Sequence, residues 1–279
     1  KMKNQNIYNL KLIILSIMIV MTATVTAQVK GNGNVKSQDR NVENFSAIKL
    51  TCSADLYISQ GPKSITVKTD ENILELIETE VEDGTLYVSV KGRGFRSVEG
   101  LDVIITVPNL DKIISSGSGD IRFEGVYKAN DLYINLNGSG DLDAEFNATN
   151  LELKVNGSGD SDISGVMGNL KITVSGSGDV DAEELKLEEC YIKNSGSGDL
   201  SLKGKTNMLT VSQNGSGDLD GYNFTAVNAT VSNSGSSDMT LHVVEVLRVT
   251  LNGSGDLTYR GDPQKVDVRS NGSGDVYKR

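Results

Sequence analysis

The sequence is poor in aromatic residues and in proline. Among its 279 residues there is no tryptophan, and there are only five phenylalanines, nine tyrosines and three prolines. Because 37% of the residues are hydrophobic, a core must be built from aliphatic side chains, which suits a thin and regular interior. Thirty glycines without the every-third-residue spacing of collagen indicate many tight turns rather than disorder.

Basic residues are fewer than acidic ones, and some of them lie at the very front of the chain. Lys1, Lys3 and Lys11 come before an apolar run over 12–21 and small residues over 23–27. This order is typical of a secretory signal peptide, residues 1–27, cleaved after Ala27. A membrane span is the alternative, but the run is shorter than the roughly 20 apolar residues that a bilayer needs.

Removal of residues 1–27 leaves a strongly acidic chain. It has 24 basic and 37 acidic side chains, a net charge of about −13. Such a chain is unsuited to nucleic acid or anionic lipid, because both carry charge of the same sign. We therefore expect an exported protein, in the periplasm, on the outer surface or secreted, with no nucleic-acid partner and no stable membrane span after signal cleavage.

The tetrapeptide Gly-Ser-Gly-Asp, or a near copy, occurs nine times. Only the seventh copy departs from it, with Ser237 in place of the second glycine. The copies recur at an almost constant period of about 20 residues, which is typical of a solenoid whose coils bury their apolar side against neighbouring coils. The closing aspartates are Asp120, Asp141, Asp160, Asp179, Asp199, Asp218, Asp238, Asp256 and Asp275.

Apolar and polar positions alternate within each copy. The residue after the aspartate is apolar except at Ser161, and the residue nine before it is apolar except at Asp111. The residues seven before it are Ile113, Ile134, Leu153, Ile172, Ile192, Val211, Val231, Val249 and Val268. Each coil is therefore predicted to contain an inward-alternating strand, a glycine turn and a second short strand. Parallel stacking of such coils predicts an all-β fold, a parallel β-helix or β-solenoid, right-handed by the usual chirality of parallel crossovers.

The two cysteines, Cys52 and Cys190, are expected to be free thiols. An even number of cysteines in an exported protein favours a disulfide. However, at least four coils lie between the two residues, and each coil adds about 4.8 Å, so their separation exceeds the ~7 Å limit for a bridge. Cys190 is expected simply to fill a core position.

The turns pose two physical questions. The glycines are expected to provide positive φ at a sharp corner and room for the coils above and below. The stacked aspartates, about 5 Å apart, would repel by about 0.8 kcal/mol per neighbouring pair in water. Backbone N–H groups of the turn could offset this as in an Asx turn, or calcium could bind between coils. Calcium-binding β-rolls supply two ligand turns per coil and this chain supplies one, so the aspartates are weak calcium candidates. No other metal, cofactor or catalytic residue is predicted.

Residues 28–110 carry the repeat less regularly. Ile48 and Asp55 have the phase of the later coils, and Asn34 stands in the aspartate's place one period earlier. Because the distance along the chain from Asp55 to Asp120 equals three coils, we expect irregular solenoid coils over 28–110 and nine regular coils over 111–279. Within the first part, the predicted elements are strands over 64–68, 86–90 and 101–107, a short helix over 72–82 and a loop over 92–94.

Three segments of the front part, read together with the later turns, resemble a known family. They are Phe45 to Leu50, Asp55 to Ile58 and Glu82 to Leu86, followed by coils that end in Ser-Gly-Ser-Gly-Asp. Their order is similar to the head GIN domain family of exported bacterial proteins, which are named as auto-transporter adhesins. The resemblance implies a parallel β-helix and an envelope or extracellular location in Gram-negative bacteria. It implies no set of functional residues.

Several functions remain open at this point. A ladder of equivalent side chains makes an extended surface, which favours a non-enzymatic surface or periplasmic binding protein that contacts a glycan or a protein. A structural or assembly spacer is the second interpretation. A polysaccharide lyase or hydrolase such as a pectinase is the third, because parallel β-helices carry these activities, but fold analogy is weak and His242 is the only histidine. Ice binding is suggested only by two Thr-Val-Ser steps, at Thr210 and Thr230.

The last coil, Val266 to Val276, raises the question of self-association. It would present unpaired strand edges, with Tyr277, Lys278 and Arg279 beyond it. Exposed edges invite pairing with another chain. We expect either that the two terminal cations prevent pairing by repulsion or that two molecules stack end to end.

Overall fold

The computed structural model describes residues 28–92 and 94–279, so the predicted signal peptide lies outside the described residues. The described chain is almost entirely β. The first nine strands are β1 Val29–Lys30, β2 Val35–Asp39, β3 Ala47–Leu50, β4 Asp55–Gln60, β5 Ser64–Asp70, β6 Ile77–Glu82, β7 Thr85–Val90, β8 Phe95–Arg96 and β9 Leu101–Val107. The later strands are β10 Lys112–Ser115, β11 Ile121–Phe123, β12 Tyr127–Leu136, β13 Leu142–Val155, β14 Ser161–Val174, β15 Val180–Asn194, β16 Leu200–Gln213, β17 Leu219–Asn233, β18 Met239–Leu251, β19 Leu257–Arg260, β20 Lys265–Ser270 and β21 Val276–Lys278.

The predicted parallel β-solenoid is confirmed. From β10 onward every strand pairs in parallel with the equivalent strand of a neighbouring coil, and the predicted inward residues lie next to each other across the coils. Ile172, for example, pairs with Ile192, which pairs with Val211. These side chains form one continuous aliphatic core.

The predicted phase holds in every coil except the last. All nine residues seven before the aspartate are buried apart from Val268, which is 43% exposed in β20. Within the described residues β20 pairs with β18 alone, so a neighbouring coil covers only one of its edges. Cys52 and Cys190 are both free, and Cys190 occupies a core position, as predicted. Cys52 is buried as well.

The coil differs from the prediction in one respect. The short strand that follows each aspartate continues without interruption into the longer strand that leads to the next turn. β15, for instance, runs from Val180 to Asn194 as one strand. The corner lies inside the strand, where Glu184 has φ 53° and the register to β16 shifts between Ala182 and Leu185. Inter-coil hydrogen bonds resume directly after this bulge, so the chain turns without leaving the sheet.

The front part contains one regular coil and a cap. β3 pairs in parallel with β10, and β4 with β11, which confirms the phase assigned to Ile48 and Asp55. On the other side β3 pairs in parallel with β7, and β4 with β9. Beyond this layer the pairing becomes antiparallel, with β6 against β7, β5 against β9 and β2 against β5.

The interpretation of the segment between Asp55 and Asp120 as three coils was therefore wrong. This segment adds one parallel layer and two antiparallel strands, because Asp83 and Gly84, with φ 48° and 71°, make a tight hairpin turn that sends β7 back along β6. Asn34 does not continue the ladder, since it precedes β2, which is antiparallel to β5.

The local predictions for this part had mixed outcomes. Strands β5, β7 and β9 contain the three predicted strands. The predicted helix over 72–82 was wrong: a single 3₁₀ turn, Leu74–Leu76, leads directly into β6. The reason is that β6 can pair along its whole length with β7, which a helix could not do. Gly92 and Gly94 both have positive φ, as suits the predicted loop, and Arg93 between them lies outside the described residues.

Candidate functional site

The predicted aspartates form a hydrogen-bonded ladder along the solenoid. Each backbone N–H donates to the Oδ1 atom of the aspartate in the preceding coil, at 2.7–3.0 Å, from Asp55 through to Asp275. The carbonyl oxygen of each aspartate accepts in return from the residue after the preceding aspartate, as Asp199 does from Val180 at 2.9 Å. Backbone N–H groups therefore reach the carboxylates, but they belong to the next coil and not to the same turn. Asx-type bonding within one turn occurs instead at Asn194 and Asn233.

The turn glycines are required by the stacking distance. A Cβ atom on Gly176 would lie 1.7 Å from the carbonyl oxygen of Gly157, and the other turn glycines show the same conflict with the preceding coil. None of the described turn glycines has positive φ, so the expectation of a left-handed corner at these positions was wrong. The expectation of tight space was right, because successive turns are in van der Waals contact.

A second row of carboxylates runs beside the ladder. Asp143, Asp162 and Asp181 follow one another across three coils on the outer face of the sheet. Burial, and then repulsion by Asp181 and Asp143, raise the pKa of Asp162. Within residues 28–92 and 94–279, no group of three or more histidine, cysteine, aspartate or glutamate side chains is placed to hold a metal ion. Calcium binding by the ladder remains a prediction.

A groove of about 680 Å³ lies on a different face, formed by the parts of β12, β13, β14 and β15 that lead into each turn. Its floor is the outer side of the backbone at Leu132, Leu151 and Leu170, whose side chains are buried in the core. Its sides carry two rows of polar side chains that successive coils place in register. These residues are Asp131, Asn150, Asn169 and Glu189 in the first row, and Tyr133, Glu152, Lys171 and Tyr191 in the second.

The first row is a chain of amide and carboxylate groups. Asn150 Nδ2 donates to Asp131 Oδ1 at 2.7 Å, and Asn169 Nδ2 donates to Asn150 Oδ1 at 2.8 Å. The side chains of Asp131, Asn150 and Asn169 therefore hold one another in defined rotamers. Such planar groups, fixed in position, can offer both donors and acceptors to a ligand.

The second row places an ion pair between two tyrosines. Lys171 Nζ lies 3.0 Å from Glu152 Oε1, and Lys154 Nζ lies 3.3 Å from the same atom. These hydrogen bonds, first from Lys171 and then from Lys154, lower the pKa of Glu152. Tyr133 has Lys112 and Lys154 near its ring, at 5.6 and 5.1 Å from the centroid. Tyr191, 38% exposed, has no such cation among the described residues.

The groove was not predicted from the sequence. The signal was available in the repeat alignment, because the residues eight and ten before each aspartate vary while their neighbours are aliphatic. The residues at these two repeat positions differ from coil to coil, so the sequence does not indicate that they form one surface. The register of the stacked strands shows that they lie side by side.

The single histidine, His242, makes a hydrogen bond to a residue of the preceding coil. Its Nδ1 atom lies 3.0 Å from Thr225 Oγ1, and its neighbour in the next coil is Arg260. Burial, and then the charge of Arg260, lower the pKa of His242. This environment favours a neutral histidine with a structural hydrogen bond.

Helical structure in the described chain is confined to the 3₁₀ turn Leu74–Leu76. In this part of the chain, no helix has the length and apolar character needed to cross a bilayer.

Solved structures with the same fold are known. A protein from Parabacteroides merdae described as a putative adhesin has a TM-score of 0.67 and 21% identity, and the match covers 90% of this chain and 99% of that one. A protein from Parabacteroides distasonis described as a putative lipid binding protein has a TM-score of 0.66 and 22% identity, over 91% of this chain and 100% of that one. A putative adhesin from the same species has a TM-score of 0.62 and 21% identity, over 91% and 100% of the two chains. At these identities the similarity shows the fold alone.

The family comparison is more specific. No match was found among curated proteins. The model of one family matches residues 44–203 and 188–263, which together span the regular coil of the front part and most of the repeat. The resemblance inferred from the front segments and the turns is thereby confirmed: the chain belongs to the family described as "Putative auto-transporter adhesin, head GIN domain".

Proposed function

We propose that this chain is an exported, non-enzymatic adhesin-type protein that binds a glycan in the groove between Tyr133 and Tyr191. The observation that carries the proposal is the combination of a partly exposed tyrosine, Tyr191, with a hydrogen-bonded row of amide and carboxylate groups in one groove. Sugars present apolar C–H faces and edges of hydroxyl groups. An aromatic face and planar hydrogen-bonding side chains are complementary to both.

The dimensions of the groove support an oligosaccharide. Tyr133 and Tyr191 are separated by three coil steps, so the second row spans roughly 14 Å at ~4.8 Å per step. Two lysines already lie near the ring of Tyr133, whereas Tyr191 is 38% exposed and has no cation over its ring among the described residues. Tyr191 is therefore assigned the stacking role, and Asn150 and Asn169 the hydrogen bonds.

The ionisation of the groove supports binding rather than catalysis. A glycosidase needs a carboxylic acid with a raised pKa that can protonate the leaving group. Glu152, in the middle of the groove, has a lowered pKa because Lys171 and Lys154 stabilise its charged form. It is poorly suited to act as the acid.

Lipid is the main competitor, since one solved structure of this fold is described as a putative lipid binding protein. The groove fits an acyl chain less well. The leucine side chains beneath it are only 1–3% exposed and belong to the core, and Asp131, Lys171 and Glu189 line the groove. An acyl chain would have to desolvate these groups without offering them hydrogen bonds.

A glycan array with residues 28–279 would test the proposal. We expect a defined set of oligosaccharides to bind, and Tyr191→Ala to weaken binding by at least tenfold without lowering the melting temperature. Tyr277→Ala, which removes an exposed tyrosine from another face, is the matched control and should bind normally. Absence of any glycan binding, or equal binding by Tyr191→Ala, would overturn the proposal. Release of new chain ends from pectin would favour the lyase or hydrolase instead.

A further inference from the structure

A row of mostly basic side chains crosses five coils, starting just after the corner of β15. The parallel pairing places one residue of each coil side by side, and these residues are Lys186, Lys205, Thr225, His242 and Arg260. We call them the basic row. At about 4.8 Å per coil the row is roughly 19 Å long. It is therefore long enough to contact several units of an extended polymer.

The two lysines at the start of the row have no anionic partner. Lys186 and Lys205 are both exposed, and within the described part of the chain neither forms an ion pair. Lys203, in contrast, lies outside the row and is paired with Glu183. Like charges on neighbouring strands repel each other. An anion that lies across the two ammonium groups would relieve this repulsion.

The other end of the row carries an oriented guanidinium group. The guanidinium carbon of Arg260 lies 3.9 Å from the ring centroid of Tyr222, which is 42% exposed. No carboxylate among the described residues forms an ion pair with Arg260. A guanidinium group held against an aromatic ring can present two parallel N–H donors to a carboxylate. Arg260 thus suits an anion with planar geometry.

The middle of the row offers hydrogen bonds without further charge. Thr225 Oγ1 lies 3.0 Å from His242 Nδ1. Burial, and then the charge of Arg260, lower the pKa of His242, which favours the neutral imidazole. Hydroxyl and imidazole groups form hydrogen bonds with the hydroxyl groups of a ligand. The row therefore combines cations at both ends with neutral polar groups between them.

Two grooves lie on either side of the first three residues of the row. Their volumes are about 540 and 400 Å³, and Lys186, Lys205 and Thr225 line both of them. Each groove has one acidic residue, Glu184 in the first and Glu188 in the second. Both acids belong to β15, so the lining supplied by β16 and β17 contains no carboxylate. A ligand along the row consequently has room on both sides and little opposing charge.

We propose that the basic row binds an acidic polysaccharide, a chain of sugars that carry carboxylate or sulfate groups. The polymer lies along the solenoid axis, with its anionic groups on the lysines and the arginine and its hydroxyl groups on the threonine and the histidine. The mature chain is acidic overall, but salt screens charges beyond about 8 Å, so the row dominates the local contact.

The charge spacing favours a polysaccharide over nucleic acid. Double-stranded DNA carries one negative charge per about 1.7 Å of its axis, whereas the coils of the row recur at about 4.8 Å. An acidic polysaccharide carries its charges further apart, since they are distributed over whole sugar units. The site also shares no lining residue with the groove between Tyr133 and Tyr191, so it does not depend on the function proposed for that groove.

The test is the affinity of residues 28–279 for polygalacturonate, dextran sulfate and neutral dextran, measured by titration calorimetry at low and at high salt. We expect at least one acidic polymer to bind, neutral dextran not to bind, and high salt to weaken binding by at least tenfold. The two acidic polymers distinguish carboxylate from sulfate as the recognised group. Lys186→Gln combined with Lys205→Gln should lose at least tenfold in affinity. Its melting temperature should equal or exceed that of the wild type, because the change removes a repulsion, so the loss cannot be attributed to misfolding.

The matched control is Lys36→Gln combined with Lys128→Gln, which removes the same charge from two exposed lysines outside the row and should bind like the wild type. The proposal is overturned if the wild type binds neither acidic polymer. It is also overturned if the control variant loses as much affinity as the row variant, since net charge alone would then explain binding. Tighter binding of single-stranded DNA than of the polysaccharides would contradict the assigned ligand.

Tyr191→Ala separates this site from the groove. It should keep the affinity of the wild type for the acidic polymer. If Tyr191→Ala lost that affinity while the variant with both row lysines replaced kept it, the polymer would lie in the groove and the basic row would not be its site.

Discussion

At the scale of single residues, the carbonyl oxygens of the preceding coil decide which side chains a turn can accept. A Cβ atom on Gly217 would lie 1.9 Å from the carbonyl oxygen of Gly198. The seventh turn nevertheless has Ser237 at the equivalent position, and its Oγ atom is buried without a hydrogen-bond partner among the described residues. Ser237 is thus an imperfection of the repeat with a physical cost.

The two positions provide a matched pair of variants. Gly217→Ala should destabilise the protein by about 1–3 kcal/mol, because the added methyl group forces the turns apart. Ser237→Gly should stabilise it by up to about 1 kcal/mol, because loss of an unpaired hydroxyl, at about 1–3 kcal/mol, exceeds the entropy cost of glycine, at about 0.5–1 kcal/mol. Urea midpoints at an unchanged slope would measure both. A Gly217→Ala protein as stable as the wild type would show that the turns are not in tight contact.

The cysteines give a second prediction at this scale. Burial raises the pKa of Cys190 to about 12, and burial is also the main cause that raises the pKa of Cys52. Since the thiolate is the reactive form, neither thiol should react with a thiol reagent at pH 8 in the native protein. Both should react in denaturant without a reductant. Fewer than two reactive thiols under those conditions would indicate a disulfide.

At the scale of the element, neighbouring strands place like charges side by side. The side chains of Asp143, Asp162 and Asp181 lie in register on neighbouring coils, and the pKa of Asp162 is raised first by burial and then by its two neighbours. The folded pKa then exceeds the unfolded one, so the protonated side chain is favoured by folding. Ionisation of Asp162 therefore lowers the free energy of unfolding. This loss develops as the pH rises from the ordinary aspartate pKa of 3.8 through the raised pKa of the folded state.

Asp162→Asn should therefore raise the melting temperature at pH 7, and the gain should disappear as the pH falls below 3.8. High salt should reduce the gain, because it screens the neighbouring carboxylates. Melting curves of the wild type and the variant across this pH range would test it. Glu80→Gln, which removes an exposed carboxylate in β6 away from the row, should show no such dependence. A gain that persists unchanged at low pH would contradict the assignment to charge.

At the scale of the whole molecule, each coil contacts mainly the coils before and after it. Stability in such a solenoid is the sum of coil terms and nearest-neighbour terms, so a local defect propagates along the axis. The cap formed by β2, β5 and β6 ends the parallel stacking with antiparallel strands at one end. It closes the core without requiring another coil.

Ile192→Asp and Lys193→Asp separate inward from outward positions in adjacent residues of β15. Ile192 is 0% exposed, so an aspartate there should cost several kcal/mol, whereas Lys193 is exposed and its replacement should be nearly neutral. Hydrogen exchange should show protection lost in β15 and then in β14 and β16, with β5 and β9 affected last. Equal losses of melting temperature in the two variants would contradict the inward orientation.

The sequence by itself determined the repeating part of this protein. The sequence alone shows the period of the Gly-Ser-Gly-Asp turns, the aliphatic positions and the free thiols. These features depend on residues that are close in sequence or equivalent in successive copies. An aliphatic residue at the same position of every copy is most stable when it faces the core. For the same reason, Ile48 and Asp55 could be assigned to the same repeat positions as their equivalents in the later coils.

Only the tertiary structure decided the rest, because the deciding contacts join different coils or loops. The donor to each aspartate comes from the next coil, and the need for glycine comes from the carbonyl oxygen of the previous one. The antiparallel cap depends on which strand β7 meets after its hairpin. No local pattern encodes these contacts, since each depends on the registered packing of distant segments.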